Sequence, residues 1–304
     1  MNFIIAAPPY SHRSGGIRVL HELCTALIQL GYQASIAFIT EGSQLSQGFK
    51  FAYSTDKNLY DPTGLYYDYF SNRTTQEVND YINNSCIIYP DIVKGNPLSG
   101  KFFVTYVLGR PEFSIFSDYI LSFSKLYIDK SDFVLHKSFF DNCMNDSETL
   151  HWSNRTLSLT YIGKGSNYLD CNIIPGTILI ERDWPKDKNQ LSIILKNCKY
   201  FYSWDCVSAT NTDAILCGAV PILMHDLQIH RDILNTSELG SFPPIKYEDA
   251  ASNNQLKINI DEIDSHLLMF KNKFLYYHSA WTSNVELFVV SVINKFSKHP
   301  SNLI

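Results

Sequence analysis

The sequence predicts an α/β protein made of two doubly wound units, each with a parallel sheet. Short apolar runs that suit strands buried on both faces alternate with segments of helical periodicity. The chain opens with an apolar run at 3–7, a helical pattern at 17–30 that Gly31 ends, and a second apolar run at 33–40, the usual start of such a sheet. A second alternating series begins after a polar stretch at 137–156, where we expect the boundary between two domains.

The composition limits the classes of function. The chain has 304 residues, 45% of them apolar, and a net charge of −5, so it can form two cores but lacks the broadly basic surface of many nucleic-acid-binding proteins. Its seven cysteines show neither a C-x-x-C pair nor a zinc spacing, so we expect reduced thiols and a cytoplasmic location. The first residues do not resemble a signal peptide, and no run approaches the roughly 18 apolar residues of a spanning helix. Any membrane contact is therefore expected to be peripheral.

The remaining elements of the first domain follow in chain order. Residues 41–75 are aromatic and polar without clean periodicity, so we expect loops with one or two short strands there. Beyond them we expect a helix at 75–84 and strands at 86–89, 102–108, 119–124 and 133–136.

The second domain repeats the alternation of strands and helices. We expect strands at 156–162, 177–180, 199–204 and 220–224, and helices at 189–197, 213–217 and 260–277. The chain closes with apolar residues at helical spacing between Trp281 and Phe296, which predict an amphipathic helix that faces the core. A helix on a membrane surface is the alternative, because Lys295 and Lys298 lie near its end.

Two acids flank a hydroxyl-rich turn in the second domain. Asp205 ends a predicted strand and Asp213 opens the predicted helix, and the turn between them contains Ser208, Thr210 and Asn211. A helix start offers free N–H groups and the positive end of the helix dipole to a phosphate, and a nearby acid suits a ribose diol. The segment therefore predicts a binding site for a nucleoside diphosphate. The alternative is that Ser208 or Thr210 only caps the helix and the acids are solvated.

The same segment resembles the E-x7-E region of GT-B glycosyltransferases, with Asp at both acidic positions and the Cys-Gly and apolar-Pro ending typical of that region. The resemblance implies two Rossmann-like domains that face each other across a cleft, with a C-terminal amphipathic helix. It implies an acceptor-binding domain at 1–150, a domain for the nucleotide sugar at 151–275, and a helix at 276–304 that packs back on them. By position, Asp213 would bind the ribose and Asp205 would approach the donor sugar.

A glycine pair precedes the first helix. Gly15 and Gly16 let the backbone approach a ligand closely, although a plain loop is the alternative. Their spacing is not G-x-G-x-x-G and no acid closes the second strand, which argues against a nicotinamide site. In GT-B enzymes such a loop meets the donor phosphates and the acceptor. The resemblance therefore assigns Gly15 and Gly16 to the donor, and His12 and Arg18 to the acceptor.

A further motif follows the strand at 86–89. A Pro-acid-Ile-Val sequence and then Gly-Asn-Pro contain Asp91 and Asn96, and the block looks like a pattern of bacterial surface-polysaccharide glycosyltransferases. Asp91 lies at the carboxyl edge of the sheet, where α/β proteins bind ligands, and is the candidate catalytic base. The alternative is an acid that opens a turn. Asn96 is a candidate for acceptor binding.

Two cations follow strands of the second domain. Lys164 stands between two glycines after the strand at 156–162, and Arg182 follows the strand at 177–180. Both are candidate catalytic and donor-binding residues, because cations there would neutralise the leaving diphosphate. Exposed cations in turns are the alternative. In GT-B relatives a basic residue at the place of Lys164 contacts the pyrophosphate.

Together these observations predict a glycosyltransferase that moves a sugar from a nucleotide-sugar donor to a hydroxyl of a glycan or lipid-linked glycan. The expected pathway is bacterial surface-polysaccharide synthesis, such as O-antigen, lipopolysaccharide or capsule. No D-x-D metal motif between apolar strands occurs, so we expect no metal and no cofactor, with the nucleotide sugar as a substrate. The alternatives are a sugar-nucleotide epimerase or hydrolase of the same fold, and a non-catalytic protein that binds nucleotide sugars.

Overall fold

The computed structural model describes residues 1–12, 14–39, 51–109, 114–163, 171–181, 184–224, 237–240, 242–243 and 260–297. The chain divides into two units, the first formed by residues 1–137 together with 279–304 and the second by residues 138–278. The helices are α1 Gly15–Gln29, α2 Thr75–Asn83, α3 Lys188–Lys196, α4 Ala209–Leu216, α5 Ile260–Ser279 and α6 Trp281–Ser297. The strands are β1 Asn2–Ala7, β2 Ala34–Ile39, β3 Phe51–Ala52, β4 Ser85–Pro90, β5 Phe102–Val107, β6 Tyr119–Ser122, β7 Phe133–Val134, β8 Leu157–Tyr161, β9 Ile178–Ile180, β10 Cys198–Ser203 and β11 Val220–Leu223.

The first unit contains a sheet of seven strands in the order β3-β2-β1-β4-β5-β6-β7. β3 is antiparallel to β2, and the other pairs are parallel. β2 and β4 are buried at every residue, as expected for strands covered on both faces. The order of the strands reverses at β1, which pairs with β2 on one side and β4 on the other. In such sheets the loops beyond the carboxyl ends of the strands at the reversal form the usual place for a ligand.

The second unit contains a parallel sheet in the order β11-β10-β8-β9. Successive residues of β10 face opposite sides, so that Phe201 joins one hydrophobic cluster and Tyr202 the other. The first cluster includes Leu195 of α3, and the second includes Phe270 of α5. Helices therefore cover both faces of the sheet. A ligand can contact this sheet only through the loops at the ends of its strands.

Local sequence signals explain where the first helices begin. The side chain of Ser14 accepts a hydrogen bond from the N–H of Ile17 and caps α1. α2 begins with a capping box, in which Thr74 and Glu77 each bind the other's backbone N–H. The chain leaves α1 through Gly31, whose φ of +87° lies in the left-handed region that glycine adopts most readily.

The predicted fold class is confirmed: the chain forms two α/β units with parallel sheets and a C-terminal helix. One helix start was predicted wrongly, because α4 begins at Ala209 and not at Asp213. The side chain of Ser208 accepts a hydrogen bond from the N–H of Thr210 at 3.2 Å, which fixes the earlier start. Asp213 therefore lies in the second turn of the helix.

The division of the chain differs in position from the predicted boundary near residue 150. Residues 138–150 belong to the second unit, because Met144 is fully buried there in the same cluster as Leu159 and Cys217. The pattern of the segment is mostly polar, so the sequence does not show Met144 as a core position. The acceptor and donor roles given to the two domains stay predictions.

The C-terminal helix α6 returns to the first unit. Its buried residues include Val285, Phe288, Val289 and Val292, the stripe that the helical spacing predicted, and the helix packs against α1. Tyr119 Oη donates to Ser291 Oγ at 2.7 Å and ties the helix to β6. None of the helices in the described part of the chain has the length and apolarity needed to cross a membrane.

Candidate functional site

The candidate donor site begins where β8 and β10 end side by side. The register pairs Tyr161 with Ser203, so the segments that follow the two strands leave the sheet at the same level. The N–H of Trp204 donates to the carbonyl oxygen of Tyr161 at 2.9 Å and continues this pairing beyond the strands. Residues 162–163 and 204–205 therefore lie close together, although they are distant in sequence.

Asp205 lies directly against the loop that leaves β8. A Cβ atom added at Gly163 would lie 2.7 Å from Asp205 Oδ2 and 2.7 Å from Tyr161 Cε1, closer than side chains allow. Gly163 also has a φ of +54°, in the left-handed region. Asp205 itself is only 7% exposed. Asp205 can therefore lie this close to the loop only because residue 163 is a glycine. No local sequence pattern indicates this contact.

The turn between β10 and α4 is held together by its own polar side chains. Asn211 is fully buried, and its Nδ2 donates to the carbonyl oxygens of Asp205 at 2.8 Å and Cys206 at 3.2 Å. Ser208 Oγ accepts from the N–H of Thr210 and contacts Tyr161 Oη at 3.2 Å. Ser208 therefore joins the start of α4 to the end of β8. Asn211 holds the turn through its hydrogen bonds to these two carbonyl oxygens. Thr210 lies in the turn and is half-buried.

Asp213, the second acid of the motif, is paired with a lysine that the sequence analysis missed. Lys188 Nζ lies 2.5 Å from Asp213 Oδ2 and 3.6 Å from Asp141 Oδ2. Lys188 is the first residue of α3, and Asp213 is 8% exposed. The pair joins two helices, and its partners are 25 residues apart, so a scan of local motifs could not find it.

The two predicted cations of this site, Lys164 and Arg182, lie outside the described residues. Their predicted contacts with a diphosphate stay predictions. Among the residues that the structure does describe, no three His, Cys, Asp or Glu side chains are grouped closely enough to hold a metal ion.

In the first unit, the loops at the reversal of strand order bring three predicted residues to one edge of the sheet. Gly15 and Gly16 follow β1, and Asp91 follows β4. Asp91 Oδ2 accepts hydrogen bonds from the N–H of Leu108 at 3.2 Å and of Gly109 at 3.0 Å. A Cβ added at Gly16 would lie 3.6 Å from Leu108 Cδ1, so the start of α1 packs on the same loop. Asp91 therefore anchors the backbone of the loop that Gly16 faces.

Burial controls the acidity of Asp91. The carboxyl group is 9% exposed, and this loss of solvent raises its pKa, while the N–H groups of Gly109 and Leu108 offset part of the rise. A carboxylate with a raised pKa accepts a proton more readily than one in water. The position and the direction of the shift both suit a general base.

The three predicted acceptor residues have different environments. Asn96 Oδ1 accepts from Tyr89 Oη at 3.1 Å and from the N–H of Gly100 at 3.2 Å, and its Nδ2 donates to the Gly100 carbonyl at 2.6 Å. These bonds close the loop after β4, so its side chain has a structural role there. His12 is exposed, and Arg18 in the first turn of α1 is half-buried and hydrogen-bonded to the side chain of Tyr10.

Comparisons with known proteins give only distant likenesses. No protein-family model matches the chain, and no curated protein sequence matches it significantly. A spinosyn rhamnosyltransferase complexed with thymidine diphosphate is 12% identical over 95% of this chain and 99% of its own, with a TM-score of 0.36. A glycosyltransferase from Rickettsia africae is 9% identical over 99% and 98% of the two chains, with a TM-score of 0.42. MurG from Acinetobacter baumannii is 8% identical over 94% and 99%, with a TM-score of 0.42.

Proposed function

We propose that this chain is a GT-B glycosyltransferase that moves a sugar from a nucleotide-sugar donor to a hydroxyl of a glycan or lipid-linked glycan. The observation that carries the proposal is the segment from β10 to α4. It places Asp205, a capped helix start and Asp213 in succession at the carboxyl edge of a parallel sheet. This is the arrangement expected for a nucleoside diphosphate, with the phosphates near the helix start and the ribose near an acid.

In the proposed reaction, positive charge stabilises the leaving diphosphate. The start of α4, at Ser208 and Thr210, supplies N–H groups and the positive end of the helix dipole. Lys164 and Arg182 add two full charges, and the backbone at Gly15 and Gly16 contributes to donor binding. Fixed positive groups of this kind are worth most where charge develops in the transition state. No metal ion and no cofactor take part in this proposal.

The acceptor hydroxyl is activated by Asp91. A base near this hydroxyl removes its proton as the oxygen attacks the anomeric carbon of the donor sugar, and the nucleoside diphosphate leaves with the electrons of the broken bond. His12 and Arg18 bind the acceptor beside the same edge of the sheet. Asn96 contributes through the loop that it closes.

The acceptor is a surface polysaccharide or its lipid-linked precursor, of the O-antigen, lipopolysaccharide or capsule type, in a bacterium. The enzyme then works in the cytoplasm, with at most peripheral contact with the inner face of the membrane. The support for this part is the Pro-acid-Ile-Val and Gly-Asn-Pro block around Asp91, which looks like the pattern of such enzymes.

The proposal is tested first by ligand binding. A thermal-shift panel of nucleoside diphosphates and nucleotide sugars is expected to give at least one stabilising ligand, because a ligand at 100 times its Kd adds about 2.7 kcal/mol of stability. Release of the nucleotide is then measured with and without glycan acceptors. Release that depends on an acceptor supports a transferase, whereas equal release without one indicates a hydrolase or epimerase. Binding without any turnover indicates a non-catalytic binding protein.

Asp213→Ala tests the ribose contact directly. The variant should bind the stabilising nucleotide sugar more weakly by about 1–3 kcal/mol, the value of a lost hydrogen bond to a charged group. Calorimetric titration measures the affinity, and a thermal unfolding scan of the free variant shows whether it is folded. A folded variant with unchanged affinity removes Asp213 from the donor site.

A further inference from the structure

Lys188 joins three segments of the second unit at the second acid of the motif. Its ammonium group lies between Asp213 of α4, at 2.5 Å, and Asp141 of the segment before β8, at 3.6 Å. The lysine is the first residue of α3, which begins at the N-cap Asp187. The start of α3 therefore fixes the backbone position of Lys188.

The three side chains differ in their exposure to solvent. The side chain of Lys188 is 50% exposed, and that of Asp141 is 31% exposed, but that of Asp213 is only 11% exposed. An exposed ion pair contributes little to folding stability, because solvent screens it and ordering the lysine costs entropy. The main effect of the ion pair is on the buried carboxylate of Asp213, because the ammonium group of Lys188 sets its orientation.

A carboxylate that accepts hydrogen bonds from both hydroxyls of a ribose must be ionised and held in one orientation. A carboxylate near a diphosphate also repels it, and an adjacent ammonium group reduces that repulsion. Lys188 meets both requirements at Asp213, because it donates to Oδ2 and supplies a compensating charge.

We infer that Lys188 is a positioning residue that holds the Asp213 carboxylate for the donor ribose and thereby sets the preference for ribose over 2′-deoxyribose. This inference rests on the proposed donor site at Asp213. It assigns to Lys188 no contact with the sugar that is transferred and no role in proton transfer.

The experiment compares nucleotide pairs that differ only in the 2′-hydroxyl. The dissociation constants of UDP and 2′-deoxy-UDP are measured by calorimetry for the wild-type protein, Lys188→Met and Lys188→Arg. The pairs of ADP with 2′-deoxy-ADP, GDP with 2′-deoxy-GDP and 5-methyl-UDP with thymidine diphosphate are measured in parallel. Lys271→Met is the control, because Lys271 forms an ion pair with Asp146 in the same unit but at a different place. Thermal unfolding of each free variant is recorded alongside.

The wild-type protein should prefer the ribonucleotide by about tenfold or more, as expected when a site hydrogen-bonds a hydroxyl that the analogue lacks. Lys188→Met should reduce this preference to about twofold or less, mainly by weakening the ribonucleotide. Lys188→Arg, which retains the charge, should keep most of the preference. Lys271→Met should keep all of it, whatever its effect on the unfolding temperature.

Four results would overturn the inference. An unchanged preference in Lys188→Met would show that the ion pair only joins α3 to α4. An equal loss of affinity for both members of a pair would mean that Lys188 acts only through its charge near the diphosphate and does not hold Asp213 for the ribose. A wild-type protein that binds a diphosphate without any ribose preference would remove the ribose contact itself. If the wild-type protein binds none of these nucleotides, the proposed function fails together with the inference.

Discussion

Gly163 lies where the backbone leaves β8 and passes the side chains of Asp205 and Tyr161. Its φ of +54° is costly for any residue with a Cβ, and the added atom would lie 2.7 Å from each of those side chains. The position is thus restricted both by conformation and by space. Neither restriction can be seen in the sequence, in which Gly163 is only one of two glycines around Lys164.

We predict that Gly163→Ala destabilises the protein more than an alanine at another left-handed glycine. Gly176→Ala is the matched control, because Gly176 has a φ of +79° but no atom within 4 Å of the added Cβ. The control should cost about 1–2 kcal/mol from the backbone alone. Gly163→Ala should cost about 1–3 kcal/mol more because of the crowding. Urea unfolding measures both, and equal losses would show that the loop yields without cost.

Asp91 combines a raised pKa with a position at the edge of the first sheet. A base works only when it is deprotonated, so activity should fall as the pH falls through the pKa of Asp91. Because burial raises that pKa above the ordinary value of 3.8, the acid limb of the pH profile should lie above that value. The profile of kcat/KM against pH, measured with the substrates that the binding panel identifies, locates this limb.

Replacing the carboxylate separates the two roles of Asp91. Asp91→Asn keeps the shape and an acceptor oxygen for Leu108 and Gly109 but removes the base. If the enzyme inverts configuration, turnover should fall by about 10²–10⁴-fold while donor affinity stays the same, and the acid limb should disappear. If it retains configuration, the loss should be smaller. Turnover equal to that of the wild type would mean that Asp91 only anchors the loop.

At the scale of elements, the turn between β10 and α4 depends on one buried side chain. Asn211→Ala removes a buried hydrogen bond to the carbonyl oxygen of Asp205 and a partly buried one to that of Cys206. We expect a loss of about 1–3 kcal/mol in unfolding free energy, together with weaker donor binding because Asp205 is no longer held. Asn197→Ala is the control, since the Asn197 side chain also donates to a carbonyl but is exposed. It should change stability by about 0.5 kcal/mol or less.

The same turn shows why a helix end can be misplaced from sequence. The sequence offers Ser208 as a cap, yet it predicts a helix only from Asp213 because the segment before Asp213 reads as a hydroxyl-rich turn. The cap bond to Thr210 starts α4 at Ala209. Residues 209–212 have moderate helix propensity, so the cap at Ser208 and the burial of Asn211 determine where α4 begins.

At the scale of the whole molecule, we predict that turnover needs no divalent cation. The prediction rests on the missing D-x-D motif and on the cations and helix start proposed to replace a metal. Activity measured in excess EDTA should equal activity measured in magnesium or manganese. Loss of activity in EDTA and recovery on adding manganese would contradict it.

The sequence by itself determined the two α/β units, the bounds of most strands and the amphipathic C-terminal helix. Buried parallel strands are short runs of apolar residues, and a core-facing helix repeats its apolar positions, so both signals are local. The sequence also marked Asp205 and Asp213 as a pair, because both belong to one strand-turn-helix segment. Their roles with a donor stay predictions.

The tertiary structure alone decided which side chains meet at the ends of the strands. Gly163 reaches Asp205 because β8 and β10 are parallel neighbours in register, and Asp91 holds Leu108 and Gly109 because β4 and β5 are neighbours. Lys188 meets Asp213 because α3 and α4 pack on each other. These contacts join residues that are 17 to 42 positions apart. Only the pairing of strands and the packing of helices bring such residues together, and no local pattern in the chain records those distances.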